Sequence, residues 1–230
     1  MAKYGMVIDL HKCVGCSACQ IACKNENNVD TGIFWSWHIT KTEGTFPDIR
    51  HEYIPTLCNH CEDAACVRVC PTQAMYKDEN GLTLHDPEKC IGCKSCAMAC
   101  PYGVISFNKN EPHRRWDETT AIIEGGTSSP KDVVNATGAP IPYYNTDREK
   151  TYEGIRSKGI VEKCTMCDHR VNDGKDPYCV VSCPADARIF GDLDDPNSQI
   201  SKVLAKYGGN QLLPHKGTKP KVYYVRGYTV

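Results

Sequence analysis

A chain of 230 residues is long enough for one domain or two small ones. Its formal net charge of −1 offers no basic excess for nucleic acid or an anionic membrane, and no apolar run approaches the roughly 18 residues that a bilayer span requires. An aromatic share of 8% allows only a modest apolar core, so the 16 cysteines must carry much of the fold.

In chain order, Tyr4–Leu10 is rich in β-branched and aromatic residues and is predicted to be a strand. It runs directly into a first cysteine group, Cys13, Cys16, Cys19 and Cys23, with no signal-peptide anatomy before it. A second group is Cys58, Cys61, Cys66 and Cys70. Asn80-Gly81 then predicts a hairpin turn, with Leu82-Thr83-Leu84 as the returning strand. A third group is Cys90, Cys93, Cys96 and Cys100. Residues 108–160 contain no cysteine and several Gly, Pro, Ser and Thr, so they read as a long connection, with His113-Arg114-Arg115-Trp116 its most pointed segment. Arg114-Arg115 is internal and does not read as an N-terminal twin-arginine signal. The fourth group is Cys164, Cys167, Cys179 and Cys183. Asp195 as N-cap and Pro196 at the first helical position predict a helix with an apolar stripe of Ile200, Val203, Leu204 and Tyr207, stopped by Gly208-Gly209. Lys221–Tyr228 is predicted to be a closing strand.

Each cysteine group ends in C-x3-C, a step that suits a short helix with its last sulfur one turn beyond the third. Disulfides usually pair distant cysteines, and this spacing instead converges neighbouring sulfurs on one point. Zinc accommodates separated C-x2-C pairs, as Cys164/Cys167 with Cys179/Cys183 taken alone. Zinc does not account for C-x2-C-x2-C-x3-C at 13–23 and 90–100, the iron–sulfur run whose expected proline is present as Pro101. Four groups of four thiolates therefore predict four [4Fe-4S] clusters and a path for electrons, with iron held through all 16 cysteines. Because ligation supplies folding free energy, the metal-free chain is expected to be largely disordered.

In two-cluster ferredoxins the fourth cysteine of each group ligates the neighbouring cluster. Applied here, that exchange pairs groups two and three, and groups one and four. The resulting ligand sets are Cys13, Cys16, Cys19 and Cys183; Cys23, Cys164, Cys167 and Cys179; Cys58, Cys61, Cys66 and Cys100; and Cys70, Cys90, Cys93 and Cys96. The alternative gives each cluster its own four consecutive cysteines. The exchange implies an α+β fold of two ferredoxin-like lobes, each with two clusters, plus a long cysteine-free connection and a C-terminal helix and strand. Its boundaries are 1–50 with 155–192 for one lobe, 51–107 for the other, 108–154 for the connection and 193–230 for the C-terminal segment.

Pro71, Pro101 and Pro184 follow three of the fourth cysteines, whereas Lys24 follows Cys23 and lets that helix continue. Lys12, Lys89 and Lys163 each precede the first cysteine of a group. They read as solvent-facing, with the alternative that they raise cluster potentials as nearby cations. His60 and His169, close to ligands, read as supporting or surface groups, since the cysteines already supply every ligand. No Ser–His–Asp arrangement or Gly-rich phosphate loop is present, so catalysis is expected on another chain and no catalytic residue is assigned to this one.

The chain resembles the four-cluster electron-transfer subunits of molybdopterin oxidoreductases of the dimethyl sulfoxide reductase superfamily. The residues that carry the likeness are the four groups, Cys-Pro-Thr at 70–72, Glu-Lys-Cys-Ile-Gly-Cys at 88–93, Ala-Cys-Pro-Tyr-Gly-Val at 99–104 and Lys-Cys-Thr-Met-Cys-Asp at 163–168. A closer similarity, to the small subunits of respiratory arsenate reductases, rests on residues 5–10, 43–48, 53–61, 112–116 and 191–196. Subunits of polysulfide, thiosulfate and dimethyl sulfoxide reductases, and of aromatic transhydroxylases, are also similar, although the transhydroxylase type lacks ligands that this chain has.

The resemblance implies a large catalytic partner carrying a molybdenum bis-pterin cofactor, in a heterodimer. It also implies a donor, either a membrane quinol-oxidising subunit or a multihaem cytochrome, with no nucleic acid and no direct membrane insertion. It places the Cys13 cluster at the catalytic end, then the Cys164 and Cys58 clusters, and the Cys93 cluster at the donor end. Some relatives hold a three-iron cluster at that last position, but the intact Cys93 implies a four-iron one. Periplasmic residence, by export with a signal-bearing partner, follows by analogy; a cytoplasmic complex is the alternative. An independent polyferredoxin is the competing class.

Overall fold

The computed structural model describes residues 2–111, 121, 123, 125–138 and 156–227. The His113–Trp116 segment lies outside them. The described elements, in order, are β1 (Tyr4–Asp9), α1 (Ala18–Glu26), β2 (Ser36–Thr45), β3 (Asp48–Leu57), α2 (Ala65–Arg68), β4 (Met75–Lys77), β5 (Thr83–His85), α3 (Ser95–Ala99), β6 (Ser106–Phe107), α4 (Pro130–Thr137), β7 (Val161–Glu162), α5 (Asp168–Asn172), α6 (Tyr178–Val181), β8 (Arg188–Asp192), α7 (Gln199–Tyr207) and β9 (Val222–Val225). Mixed short strands and short helices match the α+β expectation.

β1 is central to a three-stranded sheet, antiparallel to β8 (Met6 opposite Phe190) and parallel to β9 (Met6 opposite Val222). Side chains alternate across a strand, so Met6 and Ile8 enter the main core while Val7 enters a smaller one with Ile189, Ile200 and Val225. The main core holds Leu57, Met75, Leu82 and Tyr224 together with Cys23, Cys58, Cys96, Cys164 and Cys179. Sulfur is thus structural filling here. Around this core α1 packs against α6, and α2 against α3. Two strands of only two residues, β6 and β7, pair antiparallel with Ser106 opposite Glu162 and Phe107 opposite Val161. Their pairing carries the start of the fourth cysteine group onto the end of the third.

Several sequence expectations shift. β9 spans Val222–Val225, and the predicted endpoint Tyr228 lies outside the described residues. The last helix starts at Gln199, not at Pro196. Asp195 closes a turn instead, accepting from the Asn197 N–H at 2.8 Å, and Ser198 caps the helix by accepting from the Ser201 N–H at 3.2 Å. Tyr207 leaves the apolar stripe: it is 42% exposed and carries the Lys206 and Arg226 cations over its ring.

Two elements were not anticipated. β2 and β3 form a long hairpin with Ser36 opposite Leu57 and Thr45 opposite Asp48, and β3 runs across residue 50, where one predicted lobe gives way to the other. α4 lies inside the segment read as a connection. Its signals are ordinary: Ser129 and Asp132 form a capping box, and Gly138 ends the helix at φ 68°.

Candidate metal centres

The four cysteine groups share a backbone design. The third position of each opening C-x-x-C is left-handed: Gly15 and Gly92 at φ 68° and 66°, His60 and Met166 at φ 43° and 62°. Glycine adopts that conformation freely, whereas other residues are strained in it. At Gly92 the limit is absolute, because a Cβ there would meet the Gly159 carbonyl oxygen at 1.9 Å. Three groups end in Cys-Pro followed two residues later by another left-handed position, at Gln73, Gly103 and Asp186. Group one differs, as Lys24 predicts: α1 continues past Cys23 to Glu26. Lys24 then folds back to donate to the Asp30 and Ile33 carbonyls, each at 2.7 Å.

This backbone gathers twelve of the sulfurs around three cavities. Cys13, Cys16, Cys19 and Cys183 line a cavity of about 400 Å³ with His38 and Arg188. Cys58, Cys61, Cys66 and Cys100 line one of about 360 Å³ with Tyr102, Lys163 and Thr218. Cys70, Cys90, Cys93 and Cys96 line one of about 280 Å³ with His85 and Lys94. Asn27 joins two of the remaining sulfurs, its amide standing 3.6 Å from the Sγ atoms of both Cys23 and Cys167. Burial, then the nearby sulfurs of Cys164, Cys179 and Cys167, pushes the Cys23 thiol well up.

None of the 16 cysteines forms a disulfide. Among the described residues no three His, Cys, Asp or Glu side chains come together closely enough to hold one metal ion. A zinc ion would need its sulfurs about 2.3 Å from a common point. Sulfurs spread around a cavity suit a larger, multi-iron core, so the donor set fits iron–sulfur clusters, which supply one-electron chemistry when bound.

The protein's own charges complete the site. Arg188 is 3% exposed and donates to Ser36 Oγ at 2.9 Å. Its pKa is raised: burial opposes the charge, but the Cys179 and Cys19 sulfurs outweigh it. The three lysines that precede cysteine groups separate clearly. Lys12 and Lys89 are exposed, the latter paired with Asp86 at 2.9 Å. Lys163 is 1% exposed, so the solvent-facing reading is corrected for it. His60 is fully buried and accepts from the Thr83 N–H at 3.1 Å. Burial, with Lys163, Lys221 and Lys77 adding to it, holds its pKa well below the usual imidazole range. His169 meets Glu26 at 3.0 Å, tying α5 to α1. Asn27, Arg188, Lys77 and Lys221 were missed from the sequence. Only Asn27 left a signal, one helical turn beyond Cys23.

Among the described residues no helix is long and apolar enough to cross a membrane. Residues 49–133 and 115–193 match the 4Fe-4S dicluster domain family, and residues 10–29 match a 4Fe-4S binding domain family. Fold and sulfur shells define a ferredoxin-type iron–sulfur protein, and the chain belongs to the 4Fe-4S dicluster family of electron-transfer subunits. More particularly, it is 55% identical over 229 residues to the arsenate respiratory reductase iron–sulfur subunit of Shewanella sp. (strain ANA-3), covering 99% of this chain and 98% of that protein. It is 43% identical over 240 residues to the putative dimethyl sulfoxide reductase iron–sulfur subunit of Halobacterium salinarum, covering 99% of this chain and 80% of that one. A tetrathionate reductase subunit of Salmonella typhimurium is 32% identical over 228 residues, with 97% and 72% covered.

Proposed function

We propose that the chain relays electrons through four [4Fe-4S] clusters between a large molybdopterin subunit that reduces arsenate and an external quinol-oxidising or multihaem donor. The ligand sets are the exchanged ones: Cys13, Cys16, Cys19 and Cys183; Cys23, Cys164, Cys167 and Cys179; Cys58, Cys61, Cys66 and Cys100; Cys70, Cys90, Cys93 and Cys96. Three of these sets each line one cavity, and Asn27 supports the remaining one. Two lobes follow, 1–50 with 155–192 and 51–107, with β2–β3 spanning the boundary and β6–β7 joining them. The connection at 108–154 and the C-terminal segment at 193–230 complete the layout. Export to the periplasm alongside a signal-bearing partner is part of the same reading.

The single observation that carries the relay is the exposure of the sulfurs. Of the 16 cysteines only Cys16 and Cys93 are exposed, and they fall in two different shells. Electron entry and exit require a cluster near the surface at each end, and the other two shells are more enclosed. Exposed apolar residues lie close in sequence to the cysteines of both shells: Val14 and Ile21 to Cys16 and Cys19, Val181 to Cys183, and Ile91 and Met98 to Cys93 and Cys96. Such surroundings suit docking partners.

Anaerobic purification through a tag on this chain tests the reading. A large pterin-containing chain is expected to co-purify, with about sixteen iron and sixteen sulfide per copy, four of each per cluster. A persistent monomer would identify an independent polyferredoxin, and stoichiometric zinc without sulfide would exclude clusters altogether.

A further inference from the structure

A buried lysine, Lys163, and a half-buried one, Lys77, stand beside the shell of Cys58, Cys61, Cys66 and Cys100. Lys163 lines its cavity, and its ammonium donates to the Cys164 carbonyl at 2.9 Å and to the Thr83 carbonyl. Lys77 donates to the Gly81 carbonyl at 3.1 Å and to the carbonyl of Cys61, itself in the shell. Neither forms an ion pair with a carboxylate among the described residues. An ammonium withdrawn from water, fully for Lys163 and partly for Lys77, and held only by neutral carbonyls is unfavourable unless a negative charge lies nearby. The negative charge available is that of the thiolate shell.

Position is what sets Lys163 apart from Lys12 and Lys89. β7 pairs with β6, so the residue after Glu162 is carried inward, and its neighbour Cys164 belongs to a different shell. Lys163 therefore stands where one proposed lobe meets the other. The shell of Cys70, Cys90, Cys93 and Cys96 contrasts with this. Its cavity includes Lys94, which is exposed over the Phe107 ring, and His85, which is half-buried.

We infer that Lys163 and Lys77 set potential along the relay, holding the centre of Cys58, Cys61, Cys66 and Cys100 at a higher reduction potential than the centre of Cys70, Cys90, Cys93 and Cys96. The inference rests on the ligand sets proposed above. Its physical basis is that a buried cation interacts more strongly with a centre carrying one more negative charge, and so favours the reduced form. The electrons then gain driving force at the last step before they cross between lobes.

The test is a mediated potentiometric titration of the purified complex followed by electron paramagnetic resonance, with iron counted in every sample. Lys163→Met and Lys77→Met keep most of the side-chain volume and remove the charge. Each is expected to lower the potential of one centre by at least tenfold in its reduction equilibrium, about 59 mV for a one-electron couple, with the others moving less. Cys93→Ser marks the terminal centre, which must not be the one that shifts. Lys77→Arg, which keeps the charge, is expected to stay near the native value. If Lys163→Met fails to retain iron, Lys77→Met alone decides. Unchanged potentials at full iron content, or an equal fall in Lys77→Arg, would overturn the inference. A native complex short of sixteen iron would instead overturn the four-cluster reading, and the inference with it.

Discussion

Removal of iron by a chelator, under anaerobic and non-denaturing conditions, is expected to unfold the chain and not leave a folded apoprotein. The main core contains Cys23, Cys58, Cys96, Cys164 and Cys179, and its remaining apolar members surround them. Helices α2, α3, α5 and α6 are four or five residues long, far below the length at which a helix stands alone in water. What holds each in place is the sulfur at its end. Structural zinc binding contributes roughly 10–16 kcal/mol to small metal domains, against a net domain stability of about 5–15 kcal/mol. Iron ligation of comparable size is therefore enough to decide whether this fold exists.

Iron retention also depends on pH, with a definite sign. Burial pushes the free thiols of Cys66 and Cys167 up to about 12 and those of Cys61 and Cys96 to about 11, and ligation requires them deprotonated. Protons compete with iron, so stability falls as pH falls. Far-ultraviolet circular dichroism with gel filtration reads the outcome. A compact, cooperatively melting apoprotein would contradict it.

Arg188→Met is expected to produce the largest loss from any single substitution outside the cysteines. The guanidinium is buried, lines the Cys13 cavity and feels the charges of both Cys19 and Cys179, which belong to two different proposed ligand sets. Removing one partner of a buried charge pair costs about 3–5 kcal/mol, because the other charge remains without compensation. At roughly 2–4 °C per kcal/mol for a chain of this size, the melting temperature should fall by about 10 °C. Iron content should fall with it. Lys at this position keeps the charge but not the planar fork that reaches Ser36, and should recover only part of the loss. Thermal loss of visible cluster absorbance is the measurement, and a melting point within about 2 °C of native at full iron content would contradict the assignment.

The cysteine-bearing frame was legible because its signals are local. Spacing alone points to C-x3-C helices, and the proline after Cys70, Cys100 and Cys183, set against Lys24 after Cys23, separates the short helices from the one that continues. The β4–β5 hairpin was legible from Asn80-Gly81. The long β2–β3 hairpin was not, because its outer half is exposed on both faces and lacks the alternation that marks a half-buried strand. α4 was obscured by the loop-like composition around it, although Ser129, Asp132 and Gly138 are ordinary helix punctuation.

At the centres, the grouping of the cysteines was legible and their charged surroundings were not. Lys12, Lys89 and Lys163 look alike in sequence, and only the pairing of β6 with β7 buries the third. Arg188 had no local signal, since its burial depends on β8 pairing with β1 across more than 170 residues. Long-range pairing of that kind leaves no trace in a short window.

The central claim is that each cysteine group lends its last sulfur to a neighbouring cluster, and paired substitutions test it most directly. Cys70→Ala with Cys93→Ala removes two ligands from one proposed shell, whereas Cys93→Ala with Cys100→Ala removes one from each of two. Counting altered clusters by electron paramagnetic resonance in the purified complex should give one for the first pair and two for the second. The reverse result, two and then one, would show that each cluster keeps its own four consecutive cysteines.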